Sequence, residues 1–323
     1  MTNQPIDRCD GGVNEVAGRF ISPRVMTRLP ILLLLTLSLR FLAAQPTLEQ
    51  MRDYLEQNPR SAGAHSNYGA ALKAAGELGK AVDHFETAIL LDGTYARAYN
   101  NLGNAKQAVG DYEGAVALHE MAITLMPELA SAYNNLGNAL RELARPDAAI
   151  SVLTTAVQLN PTYAAAYSNL GAATQAHGDP QRAVGWHTHA SRLAPTDPML
   201  RSNLGAALEA TGRLSEAAAT FAHGLVHQPD STTLRVNMGN VLRAQGKLDE
   251  SINAFTEAIN LAPTGPDAPL AHNNLAAAYQ AAGQSTRAKE AYEAAIRLQP
   301  TDPLPRNNLD KLPISAAYRS AAT

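Results

Sequence analysis

Thiols are all but missing from this chain: the single cysteine, Cys9, leaves no internal disulfide and no cysteine-based zinc site to consider. Aromatic residues make up only 5%, and stretches alternating valine or threonine with polar residues are scarce. With so few strand formers and so much alanine, helices are favoured, and an all-α architecture is expected. Charge is sparse too. The formal net charge is -3, and residues 1–44 hold five arginines and three acids, which leaves about -5 for the rest. No nucleic-acid partner is expected, because phosphate recognition needs a basic face.

Long apolar runs are also lacking, with one exception. Leu29 to Leu39 reads LPILLLLTLSL, preceded by Arg19, Arg24 and Arg28 and followed by Arg40 and small residues ending at Ala44. A positive stretch, a short apolar core and small residues before a cut match a secretory signal peptide. The run is shorter than the roughly 20 residues that span a bilayer, so cleavage after Ala44 is expected over anchoring. Membrane contact would come only through this segment, if it is uncleaved. Met26 as the start would give a more ordinary signal layout, and Asp7, Asp10 and Glu15 argue against an organellar transit peptide. The expected location is the secretory pathway, lumenal or secreted, with a membrane-anchored form or a greasy disordered tail as the alternatives.

What the sequence does contain is repetition. Gly69, Gly103, Gly137, Gly171, Gly205 and Gly239 recur at one constant interval, and Pro127, Pro161, Pro195, Pro229 and Pro263 keep the same spacing. That interval, about 34 residues, is the period of the tetratricopeptide helix–turn–helix unit. In the third repeat Tyr133, Leu136, Gly137 and Leu140 form one face of a first helix, and Ala149, Leu153 and Ala156 the stripe of a second. The glycine belongs where the helices approach closely. Gly76, Gly110, Gly178, Gly212, Gly246 and Gly283 recur where the first helix needs a left-handed residue after its end. Ala144 departs from that pattern, and a slightly strained but intact turn is expected there.

Repeats should start near 62, 96, 130, 164, 198, 232 and 269, with partial caps at 46–61 and 302–312 and a disordered tail at 313–323. Three extra residues after Pro263 should perturb the stacking of repeats six and seven. The chain from Pro46 to Leu312 thus resembles the tetratricopeptide-repeat family, which implies a right-handed superhelical α-solenoid of about seven repeats that binds protein or unstructured peptide. Within that family, AYNNLGNALRELARPDAAISVLTTAVQLNP at 132–161 is similar to repeats of O-linked N-acetylglucosamine transferases. The alternative reading is therefore the repeat portion or a relative of such a glycosyltransferase, without its catalytic region.

One residue before each packed leucine stands an asparagine: Asn67, Asn101, Asn135, Asn169, Asn203, Asn237 and Asn274, with Asn308 in the cap. In the family this position borders the concave surface, so the resemblance implies a ladder of amides holding extended polypeptide, with Asn104, Asn138 and Asn240 beside it. An amide offers both donor and acceptor, complementing any peptide backbone. The competing reading is that these asparagines bond neighbouring backbone or the next repeat, or merely solvate a helix. Ser66, Asn100, Asn134, Ser168 and Ser202 are expected on the groove's other side, and Arg97, Arg201 and Arg235 are too scattered for a carboxylate clamp.

No catalytic constellation, cofactor or metal site is read from the sequence. His187 and His189 are two apart on a helix and cannot jointly face a metal. His119 and His187 take the large packing position of their second helices. No phosphate-cradling loop or nucleophile elbow occurs.

Overall fold

A computed structural model describes residues 46–313. The signal segment and the tail beyond Pro313 lie outside the described residues. Within them are sixteen α-helices and no strand: α1 Leu48–Gln57, α2 Ala62–Ala74, α3 Leu78–Leu91, α4 Ala96–Ala108, α5 Tyr112–Leu125, α6 Ala130–Glu142, α7 Pro146–Leu159, α8 Ala164–Ala176, α9 Pro180–Leu193, α10 Pro198–Ala210, α11 Leu214–His227, α12 Thr232–Ala244, α13 Leu248–Leu261, α14 Ala268–Ala281, α15 Ser285–Leu298 and α16 Pro303–Asp310. Each even-numbered helix up to α14 pairs with the one after it, and each pair stacks on the next. The all-α solenoid expected from the period is what the chain forms.

The pairing follows from size complementarity. A Cβ built on Gly69 would lie 2.7 Å from Phe85 Cε1, and one on Gly171 would lie 2.7 Å from His187 Nε2. Nothing larger than hydrogen fits between those helices. The same apposition sets Gly103 against His119, Gly137 against Leu153, Gly205 against Phe221 and Gly239 against Phe255. In the seventh pair Ala276 replaces glycine and Tyr292 is the large partner, and both are buried.

Turns between paired helices use a left-handed residue: Gly178 has φ 98°, and its N–H donates to Gln175 O while the next amide donates to Thr174 O. Ala144 takes φ 53° and makes the same two bonds, so the third turn is intact without a glycine. Second helices start on caps where the residue permits. Asp179 accepts from the Arg182 amide at 3.0 Å with Pro180 opening the helix, and Asp111 accepts from Gly114 at 3.0 Å. Among the described residues no helix is long and apolar enough to cross a membrane.

Candidate functional site

The even-numbered helices carry the asparagine ladder. Asn101, Asn135, Asn169, Asn203, Asn237 and Asn274 are half-buried, as are Asn104, Asn138 and Asn240, while Asn67 is exposed. Each ladder amide after the first donates across the seam to the preceding repeat. Asn101 Nδ2 donates to Ser66 Oγ at 3.0 Å, Asn203 to Ser168 Oγ at 2.9 Å and Asn237 to Ser202 Oγ at 2.8 Å. Asn135 donates to Asn100 Oδ1 at 3.1 Å, Asn169 to Asn134 Oδ1 at 2.9 Å and Asn308 to Asn273 Oδ1 at 3.1 Å.

The acceptors sit one repeat plus one residue earlier. Ser66, Asn100, Asn134, Ser168 and Asn273 are all buried, so they are seam groups more than groove lining. Sequence reasoning placed the first four beside the groove; it allowed bonds between repeats as the competing reading but did not name these acceptors. The signal was present: an oxygen-bearing side chain recurs at that same offset before each of these asparagines. At the sixth repeat the equivalent residue is Val236, followed four helical positions on by Asn240, and Asn274 donates to Asn240 Oδ1 at 3.0 Å. The shift follows from the side chain, since valine offers no acceptor. The inserted loop is tied down by Asp267, whose Oδ2 accepts from Thr232 and Thr233 at 2.6 and 2.7 Å.

One N–H of each amide serves the seam, and its second N–H and its oxygen remain. Asn135 and Asn274 use their Oδ1 locally, accepting from Asn134 and Asn273. Two open depressions follow the ladder. One, of 310 Å³, lies between Asn67, Asn101, Tyr95 and Arg97, and the other, of 530 Å³, between Asn169, Asn203, Gln175 and Arg141.

The buried histidines are held neutral. Burial pushes His119 down to about 4, aided by the Lys73 charge, and burial alone pushes His187 down to about 4. His119 is fully satisfied. Its Nδ1 donates to Asn100 Oδ1 at 3.0 Å, and Gln107 Nε2 donates to its Nε2 at 2.9 Å and to Asn135 O at 2.8 Å. That fixes one neutral tautomer, since one partner is an acceptor and the other a donor. Asn138 donates to Gln107 Oε1 at 3.1 Å and accepts from Arg141 at 2.9 Å, extending the network into a third helix.

His189 is exposed and packs on Tyr167, with ring centroids 4.2 Å apart, while His187 is buried, so the two do not converge. The scattered arginines also stay apart. Arg201 donates to Pro195 O, and Arg235 to Pro229 O and Glu257. Among the described residues no group of three histidine, cysteine or acidic side chains is placed to hold a metal.

Family models described as Tetratricopeptide repeat match residues 94–161, 134–198, 198–223 and 230–301, together more than half of the chain. No curated protein matches the sequence. Among solved structures, a chain of the APC/C hetero-tetramer Cut9–Hcn1 superposes with a TM-score of 0.65 at 19% identity, covering 82% of this chain and 51% of that one. The present chain therefore spans about half the length of that relative. PilF of Pseudomonas aeruginosa gives 0.55 at 18% identity, over 64% and 94% of the two chains. A thermophilic TPR protein of Thermus thermophilus gives 0.51 at 26% identity, over 56% and 99%. At their low identity the first two show a shared fold alone.

Proposed function

Because this chain belongs to the tetratricopeptide-repeat family, we infer that it is a protein-interaction scaffold, and we propose that it binds extended polypeptide along the asparagine-lined face of its even-numbered helices. One observation carries the reading. The seam bonds hold Asn101, Asn169, Asn203 and Asn237 in fixed orientations while leaving the Oδ1 of each without a partner among the described residues. Rigid acceptors at a regular interval suit the N–H groups of an extended backbone, whatever its side chains. We also propose that residues 132–161 are related to the repeats of O-linked N-acetylglucosamine transferases and share this use. Binding, rather than catalysis, is the role inferred, and the leader-like segment ending at Ala44 supports a secreted or lumenal setting.

Each net hydrogen bond is worth roughly 0.5–1.5 kcal/mol, and ordering a flexible segment consumes much of the sum, so affinity should be on the order of micromolar. The test is binding of the chain to displayed unstructured peptides. Changing Asn135, Asn169 and Asn203 together to Ala should abolish binding while circular dichroism still shows helix, with some loss of thermal stability from the lost seam bonds. A second variant, Ser168→Ala with Ser202→Ala, separates the two effects. It removes the seam acceptors of Asn203 and Asn237 while leaving their groove-facing oxygens in place, so it should lose thermal stability and keep most of its peptide binding. Binding that persists in the triple Ala variant would show the ladder to be structural only.

A further inference from the structure

The large side chain facing the packing glycine is histidine in two repeats, and those two make an internal comparison. His119 is closed in by carboxamides of its own chain: Asn100 on Nδ1, Gln107 on Nε2, and Asn138 holding Gln107. His187 occupies the same place two repeats later and is 3% exposed. Its Nδ1 is buried with no partner. Ser168, Ala172 and Ala206 stand there in place of Asn100, Asn104 and Asn138. The Ser168 hydroxyl accepts from Asn203 and makes no bond to His187 Nδ1. Gln175, the counterpart of Gln107, has no Asn138 equivalent to hold it. The space those three shorter side chains vacate is part of the 530 Å³ depression that reaches His187.

A buried ring nitrogen without a partner is rare because it is costly, and it calls for an occupant. The second repeat shows what kind: a group that both donates and accepts, and carries no charge. Arg141, which lines the same depression, gives its Nη2 to Asn138 Oδ1 and Glu142, and its buried Nε–H has no partner, a donor that a carboxamide oxygen can satisfy.

We propose that this depression is a subsite for the carboxamide of an asparagine or glutamine side chain carried by the bound segment, entering where Asn100 and Asn138 sit in the second repeat. This rests on the groove reading above and adds to it a side-chain preference at one register. Elsewhere the groove would read backbone alone; here it would read sequence.

The test is selection of displayed random dodecapeptides on the full chain and on two variants. His187→Phe places there the residue that packs against Gly69 and Gly205, and Ser168→Asn with Ala206→Asn restores the internal carboxamides; circular dichroism checks that both fold. The expected result is enrichment of asparagine or glutamine at one position among binders, lost on both variants. A selected peptide should bind each variant about tenfold more weakly, and its own version with leucine at that position should bind the parent chain equally weakly. Binders with no such preference, with aspartate or glutamate at that position, or with a preference that survives both variants would overturn the subsite and leave the groove reading standing. If no peptide binds the parent chain at all, the groove reading fails and the subsite falls with it.

Discussion

Ala144 is the residue at which the sequence and the backbone pull against each other. It is the only non-glycine among the described residues with positive φ, and an L-residue there costs about 1–2 kcal/mol from the clash of Cβ with the carbonyl that follows. Ala144→Gly should therefore raise stability by about 1 kcal/mol, seen as a higher urea midpoint with unchanged slope. The opposite change one helix face away should hurt. Gly137→Ala drives a Cβ into Leu153, which is 0% exposed and cannot move aside, and a loss of about 1–3 kcal/mol is expected in the same titration.

Protonation acts at this scale as well. His119 and His187 have folded pKa values lowered to about 4, whereas the unfolded chain binds those protons near 6.5. Stability should be level above about pH 7 and fall as pH drops from 6.5 to 4, by an amount on the order of 3 kcal/mol for each histidine. His84 and His272 are lowered by burial too and add to the same slope. Thermal melts across that window should flatten in a His119→Phe, His187→Phe double variant, and an equally steep fall would sink the assignment. The histidine packing position was legible from the period alone. The emptiness beside His187 was not, because it depends on three substitutions spread over α8 and α10.

Within single helices, local rules account for most of what is seen. Two second helices, α5 and α9, open on Asp111 and Asp179-Pro180, where a carboxylate satisfies first-turn amides. Glycine inside a helix is tolerated only where something repays it. Gly171 is repaid by contact with His187, but Gly185, in the middle of α9, has nothing within 4 Å of an added Cβ. Gly185→Ala should stabilise by about 0.5–1 kcal/mol, read as a higher melting temperature with peptide binding unchanged. Helix starts were readable from these caps and from the repeat period. Which oxygen each asparagine meets was not, since no rule inside one helix specifies its neighbour.

Across the whole stack, each repeat touches only those beside it, so stability is a sum of repeat and seam contributions. Among the described residues, the terminal helices have one seam each. Helix α1 has no buried residue and α16 only Pro305, so amides in those two helices should exchange with solvent well before those of α6 to α9. The reverse order by hydrogen-exchange mass spectrometry would contradict the nearest-neighbour picture. The joint between repeats six and seven is the internal weak point to watch, since Val236 replaces the usual seam oxygen and Asn274 has shifted to Asn240.

The sequence by itself determined the helices, their pairing and the family, because glycine, leucine and proline recurring together at one fixed period leave only one way to bury the apolar stripes. It also marked the asparagines as a set. Only the tertiary structure decided what they do first, because a bond from Asn169 to Asn134 exists only once two repeats are stacked in register. The same holds for the two histidines. Side chains from two successive even-numbered helices decide whether such a ring is satisfied by its own chain, as at His119, or left open to the groove, as at His187.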